Sequence, residues 1–378
     1  MTEKIIRPKT IGARCLKVIL LTDELAYRGS GLYTLNLAEG LQQLGHRIKI
    51  ICAGGPLSEE FKKLKIEVTS FEAINHWTND LFLSAHLADE IKSAQADILH
   101  IQKIRLAGLG AAIAAKSQIP YFITVQNTLN IPHRLKLASK FIRGIIAVTE
   151  EIREHLVNET KVPRELVQLI HAGVNYRRIK ENVSSSPEQI KRDSVVAILG
   201  PLETWRGHQY FLKAAREILA AGYKVKFLII GEGETEPELR KLVATLGIRD
   251  SVIFIPDITK YYLILPTVDI FVLPYLQMGM GLSLLEAMAC GRPVIASSVG
   301  ESYHFIKENE TGFLVPPKNH EAIKEKIVEL LNDKILALEV GLRARRFVEE
   351  NFSAEKMTQK INELYFSCLP SNGRNLTA

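Results

Sequence analysis

The sequence predicts two α/β domains, each a parallel sheet covered by helices, and three observations predict it. At 378 residues the chain exceeds what one hydrophobic core ordinarily fills. Short β-branched apolar runs alternate with amphipathic stretches along most of it, the pattern of repeated βαβ units. The alternation breaks once, at residues 176–193, where a polar segment containing Asn182-Val-Ser-Ser-Ser-Pro187 has no apolar period. The division that follows is a first domain over 1–178, a linker over 179–193, a second domain over 194–350, and a C-terminal helix and tail over 351–378.

The first series places strands at 16–21, 48–52, 98–101, 121–125 and 144–148, ending near 169–171. After the first strand, Leu32, Leu35, Ala38, Leu41 and Leu44 recur at helical spacing and stop at Gly45. The second series places strands at 195–199, 225–230, 252–255, 270–273 and 294–296, with a short one at 312–315. Beyond Pro317 the pattern is helical, over 321–331, 335–350 and 354–365. The halves share an architecture but no internal sequence repeat.

Apolar residues at 47% and charged residues at 24% describe a folded globular chain without low-complexity bias. The longest weakly polar run, 106–115, has about half the roughly 20 residues that a membrane span needs. No apolar stretch follows the basic residues of 1–17 before the first strand, so no secretory signal is expected and the cytoplasm is the expected location. Cys15, Cys52, Cys290 and Cys368 lie far apart without metal-ligand spacing, and free buried thiols are expected of them.

A formal charge of +6 and a pI near 9.0 suit anionic partners: nucleotide diphosphates, phospholipid headgroups or nucleic acid. Nucleic acid is disfavoured because no strand interleaves aromatic with basic residues. Residues 132–143 interleave Arg134, Lys136, Lys140 and Arg143 with apolar positions on a predicted helix. That helix is either an ordinary amphipathic surface or a peripheral contact with the inner face of a membrane, which would suit a lipid-linked acceptor. Arg343, Arg345 and Arg346 read as a solvated basic face.

Two glycine segments could carry chemistry. In Arg28-Gly29-Ser30-Gly31-Leu32 the glycines enter a helix whose first N–H groups suit an anion or a sugar. The other reading is a turn that needs glycine's backbone freedom. The segment is not a full GxGxxG and no acidic ribose partner follows it, which argues against a dinucleotide-dependent dehydrogenase. In Met278-Gly279-Met280-Gly281-Leu282-Ser283, Gly279 and Gly281 permit close backbone approach, and a helix starting near Leu282 aims its N–H groups and dipole at the same place. That is a seat for a diphosphate. One turn further, Glu286 offers two acceptor oxygens to the vicinal hydroxyls of a ribose, or is a solvated helix carboxylate.

The run Gly281-Leu-Ser-Leu-Leu-Glu286-Ala-Met-Ala-Cys290-Gly-Arg-Pro-Val-Ile-Ala296, with Asn309-Glu-Thr-Gly-Phe-Leu-Val315, is similar to glycosyltransferase family 4. Those are retaining enzymes with two Rossmann-like domains facing across a cleft, the GT-B arrangement. The resemblance extends to Gly45-His46-Arg47-Ile48, Asp97-Ile-Leu-His100, Ile146-Ala-Val-Thr-Glu-Glu-Ile152, Gly231-Glu-Gly233 and Val268-Asp-Ile-Phe-Val-Leu-Pro274, and so to nearly the whole chain. It implies a nucleotide-sugar donor bound mainly by the second domain and a glycan or lipid-linked acceptor bound mainly by the first. The C-terminal helices would cross back to the first domain. No metal and no further cofactor are implied, because fixed cations and a helix N-terminus can stabilise the departing phosphate. The positions it implicates are Arg206 and Gln126 for catalysis, and Gly29, Gly31, Met278, Gly279, Met280, Gly281, Leu282, Ser283 and Glu286 for the donor.

Several of these positions depart from the family pattern. An Arg and a Lys usually follow the first strand of the second domain; in Gly200-Pro201-Leu-Glu-Thr-Trp-Arg206-Gly207, Arg206 matches the Lys and Pro201 stands at the Arg. The partner glutamate eight residues before Glu286 is Met278, whose thioether accepts hydrogen bonds weakly. The His that often follows the fourth strand is Gln126, which does not titrate near neutral pH, and the second His of a His-x-His pair is Gln102, while His100 remains. The first domain closes on Ala172-Gly-Val-Asn175 in place of Asn-Gly-Val-Asp. Either the donor or acceptor differs from the common ones, or the chain is a catalytically silent relative that binds a nucleotide, a glycan or a partner enzyme.

Overall fold

The computed structural model describes residues 14–27, 29–76, 81–127, 131, 135, 137–179, 193–256, 264–277 and 279–369. The first sheet contains β1 (Lys17–Leu21), β2 (Arg47–Cys52), β3 (Glu67–Ser70), β4 (Ile98–Ile101), β5 (Tyr121–Val125), β6 (Ile142–Ala147) and β7 (Val167–Leu169), in the order β3-β2-β1-β4-β5-β6-β7. The second contains β8 (Ser194–Leu199), β9 (Val225–Ile230), β10 (Val252–Ile255), β11 (Ile270–Leu273), β12 (Val294–Ser297) and β13 (Phe313–Val315), in the order β10-β9-β8-β11-β12-β13. All pairings in both sheets are parallel. Each sheet reverses its winding once, between β1 and β4 and between β8 and β11, and such a switch point opens a crevice at the carboxyl ends of the strands.

The strands read as unbroken apolar runs because helices cover both faces. All five residues of β5 and all four of β11 are buried. The sequence reading omitted β3, an edge strand of sequence Glu-Val-Thr-Ser with no buried residue, which leaves too little apolar pattern to detect. The predicted helix over 132–143 falls partly on residues outside those described; 139–141 form a turn and β6 begins at Ile142, so no helix runs to Arg143. Arg143 instead donates to the carbonyls of Lys140 and Ile142.

The C-terminal helix Ala354–Ser367 does return to the first domain. Val174 donates to the Phe352 carbonyl at 2.8 Å, Ala354 donates to the Val174 carbonyl at 2.9 Å, and the Ser353 hydroxyl caps the helix. The helix lies so close to Gly29–Gln43 that a Cβ on Gly40 would stand 2.3 Å from the Thr358 hydroxyl. Asn362 meets His46 at 2.8 Å, and the Tyr365 hydroxyl meets His100 Nδ1 at 2.6 Å. Of the four thiols, Cys52 and Cys290 are buried as expected, but Cys15 is exposed at the edge of β1 and Cys368 is partly exposed past the last helix. No described helix is long and apolar enough to cross a membrane.

His100 is fully buried, its Nε2 lies 2.7 Å from the Thr124 hydroxyl, and burial pushes its pKa from 6.5 down to about 3. The folded state therefore keeps it neutral where the unfolded chain takes up a proton. Stability from this group is complete above about pH 6.5 and is lost as pH falls toward 3, by about 1.4 kcal/mol per pH unit per proton. The urea midpoint should fall between pH 7 and pH 5, and His100→Asn should make that fall shallower. An equal fall in the variant would locate the proton uptake at other histidines.

Candidate functional site

In the second domain, β8 ends at Leu199 and, after Gly200, the chain makes a short turn over Thr204–Arg206 before the helix His208–Ala220. Gly207, with φ +73°, lets this turn lie against the loop after β11: a Cβ there would stand 1.9 Å from the Pro274 carbonyl oxygen. The Arg206 guanidinium lies against two aromatic rings that meet edge to face, 4.2 Å from the Trp205 centroid and 4.5 Å from that of Tyr275, and Tyr275 is itself fixed by donating to the Leu199 carbonyl at 3.2 Å. The same guanidinium approaches Gly200, where a Cβ would be 3.2 Å from an Arg206 nitrogen. One planar cation thus covers the loop beside Pro201. Arg206 Nε is buried without a hydrogen-bond partner among the described residues. His208 is also buried, and burial together with the Arg206 charge pushes its pKa to about 3, which leaves the arginine as the charged group. A pocket of about 370 Å³ lined by Glu203, Trp205, Glu232 and Glu234 opens alongside.

After β11 the helix Leu282–Ala289 begins at Gly281. Gly281 has φ +73°, and a Cβ there would be 2.6 Å from the Phe305 ring, so backbone handedness and packing against Phe305 require the glycine. Gly279 has open space around it, and Met278 lies outside the described residues. Leu282 is buried and Ser283 half-buried in the first turn. Glu286 is 4% exposed, which overturns its reading as a solvated carboxylate. Burial, and then the Glu286 carboxylate, push the Cys290 thiol up.

In the first domain the helix Gly29–Gln43 follows β1 across the switch point. Neither Gly29 nor Gly31 has left-handed backbone, so backbone freedom is not what these glycines supply. Close approach is: a Cβ on Gly31 would be 2.0 Å from the Ala26 carbonyl, and one on Gly29 would be 3.1 Å from the Met280 methyl of the second domain. The two glycine segments therefore meet across the cleft. Gln126 follows β5, is 7% exposed, and neither atom of its amide has a hydrogen-bond partner among the described residues. Gln102, at the end of β4, is fully buried in the same condition.

The structure thus brings Arg206 to the loop after β11, which leads to Gly281 and Glu286, and brings Gly29 against Met280. Gln126 stands at the carboxyl end of the first sheet. Among the described residues no group of three or more His, Cys, Asp or Glu is placed to hold a metal ion. Arg345 does not belong to a merely solvated face, since it donates to the Tyr176 hydroxyl and stacks on its ring.

Sequence reasoning missed Glu301, which looks like a loop carboxylate after Gly300 but is 3% exposed. It accepts from the backbone N–H groups of Glu150 and Glu151, at the start of the first-domain helix Glu150–Asn158, where a carboxylate complements the helix dipole. Its other oxygen stands 3.9 Å from His171 Nδ1. Glu301→Ala should lower stability by about 1–3 kcal/mol, the scale for leaving buried donors unsatisfied, read as a lower thermal midpoint. An unchanged midpoint would show that water replaces this contact at no cost.

Residues 27–178 match the family model described as Glycosyltransferase Family 4, and residues 180–363 match that of Glycosyl transferases group 1. An uncharacterized glycosyltransferase of Methanocaldococcus jannaschii is 24% identical over 95% of this chain and all of its own length. N-acetyl-alpha-D-glucosaminyl L-malate synthase of Bacillus anthracis is 26% identical over 90% of this chain and 94% of its own. Among solved structures, a Rickettsia africae glycosyltransferase superposes with a TM-score of 0.81 at 23% identity, over 94% of this chain and 100% of that one. Anabaena HepE, crystallised with UDP-glucose, does so with 0.78 at 19% identity, over 93% and 100%.

Proposed function

Because the chain belongs to glycosyltransferase family 4, we propose that it moves a sugar from a nucleoside-diphosphate sugar to an acceptor, without a metal ion and with retention of anomeric configuration. The observation that carries this reading is the placing of Arg206 and the Gly281 helix start on the two sides of one switch point. A diphosphate seated there would meet a fixed guanidinium and free peptide N–H groups together. When the bond from the anomeric carbon to the phosphate oxygen breaks, negative charge gathers on that oxygen, and both elements stabilise it without reorganising. The acceptor hydroxyl forms the new bond to the anomeric carbon and gives its proton to the leaving phosphate. Glu286 would hold the ribose hydroxyls, and Gln126 would hydrogen-bond a sugar or acceptor hydroxyl.

The nucleotide-sugar reading is supported by the HepE complex with UDP-glucose, and a small or glycan-like acceptor by relatives such as the malate synthase. The acceptor-binding part would be 1–178 and the donor-binding part 194–350. The test is turnover on a panel of UDP-, GDP- and ADP-sugars with L-malate, simple glycans and polyprenyl-linked sugars as acceptors. Release of nucleoside diphosphate should accompany a product whose anomeric coupling matches that of the donor. Nucleotide binding that depends on Glu286, without turnover on any pair, would leave a binding protein and end the transferase reading.

A further inference from the structure

A nucleoside diphosphate brings two phosphate groups, and the loops after β8 and β11 offer it one guanidinium, Arg206. We propose that Lys103 of the first domain is a second diphosphate-binding residue, closing on the donor from the opposite wall of the cleft. This rests on the donor site proposed above.

Lys103 follows β4, beside the switch point of the first sheet. Its Nζ donates to the Ser30 hydroxyl at 2.8 Å, within the first turn of the helix Gly29–Gln43. Ser30 lies between Gly29 and Gly31, and Gly29 is the residue that approaches the Met280 methyl. Met280 in turn lies between Gly279 and the Gly281 helix start. The ammonium is therefore one residue removed from the point where the two glycine segments meet.

Asp23 is held closely by Arg105, at 2.7 Å, while Lys103 stands 3.9 Å from it, beyond hydrogen-bonding reach. The Lys103 side chain is 27% exposed, wet enough to reorient toward a ligand and shielded enough for its charge to act strongly. A second polar group lies beside it in the chain. Gln102, adjacent in the chain, is fully buried with neither amide atom partnered among the described residues, and a buried amide is costly unless something bonds to it. Gln102 directly follows β4, in which His100 meets Tyr365 of the C-terminal helix.

A cation from each wall makes closure of the cleft on a diphosphate favourable and leaves a monophosphate less firmly held. The test is calorimetric titration of the full chain with UDP, GDP and ADP and with the corresponding monophosphates. Lys103→Met should weaken diphosphate binding tenfold or more while changing monophosphate binding less than twofold, and Lys103→Arg should restore it to within about threefold. Equal binding by Lys103→Met and wild type would overturn the proposal. So would equal losses for mono- and diphosphates, since these are the marks of a residue that only holds the helix. If the unaltered chain binds none of the six nucleotides, the donor site itself is refuted. That result differs from a wild type that binds and a Lys103→Met that binds as well.

Discussion

Arg206→Ala should lower kcat for sugar transfer by about 10²–10³-fold, the loss found when one fixed stabiliser of developing charge is removed. The size follows from preorganisation: the guanidinium rests against both Trp205 and Tyr275, so its position is set before the donor arrives. Arg206→Lys keeps the charge but neither the plane that stacks nor the fork that meets two oxygens, and should recover part of the rate. Donor KM should move less than kcat, because the charge on the leaving phosphate is greatest in the transition state. Initial rates at saturating acceptor measure both. A variant as fast as the unaltered chain would remove Arg206 from the reaction.

The second large effect belongs to Glu286. Glu286→Ala should weaken nucleoside diphosphate binding by about 10–100-fold, since hydrogen bonds to a charged group contribute about 1.5–3 kcal/mol. Its burial at 4% exposure means that the carboxylate meets a ligand with little competition from water. The loss should be specific to the ribose. A nucleotide lacking its 2′ and 3′ hydroxyls should bind the unaltered chain about as weakly as the variant binds the full nucleotide, and should bind the variant no worse. Additive losses in that cycle would place the ribose elsewhere.

Much of the architecture is legible in the amino-acid sequence because parallel strands buried on both faces leave unbroken runs such as Tyr-Phe-Ile-Thr-Val in β5. The edge strand β3 has no buried residue and leaves no such mark. Periodicity misleads at 138–143, where alternating apolar and basic residues serve a turn and a strand start rather than a helix face. For the site, glycines at 29, 31 and 281 announce a special backbone, but the reason differs at each. Gly31 avoids Ala26, Gly29 faces Met280 of the other domain, and Gly281 needs a left-handed φ beside Phe305. None of those neighbours is near in sequence, except Ala26. The aromatic clamp on Arg206 is half visible, since Trp205 adjoins it, but Tyr275 arrives from the loop after β11. Glu301 and Lys103 could not be found by spacing, because what singles them out is the helix start each one meets in three dimensions.

The central claim is that one nucleotide site is built by both domains, from the Gly29 helix start on one side and the Arg206 turn and Gly281 helix start on the other. Hydrogen–deuterium exchange with and without saturating nucleoside diphosphate tests it most directly. The account predicts slowed exchange together at residues 29–35, 204–207 and 282–286. Protection confined to one domain, or to the pocket at residues 232–234 while 29–35 and 282–286 exchange as before, would contradict it.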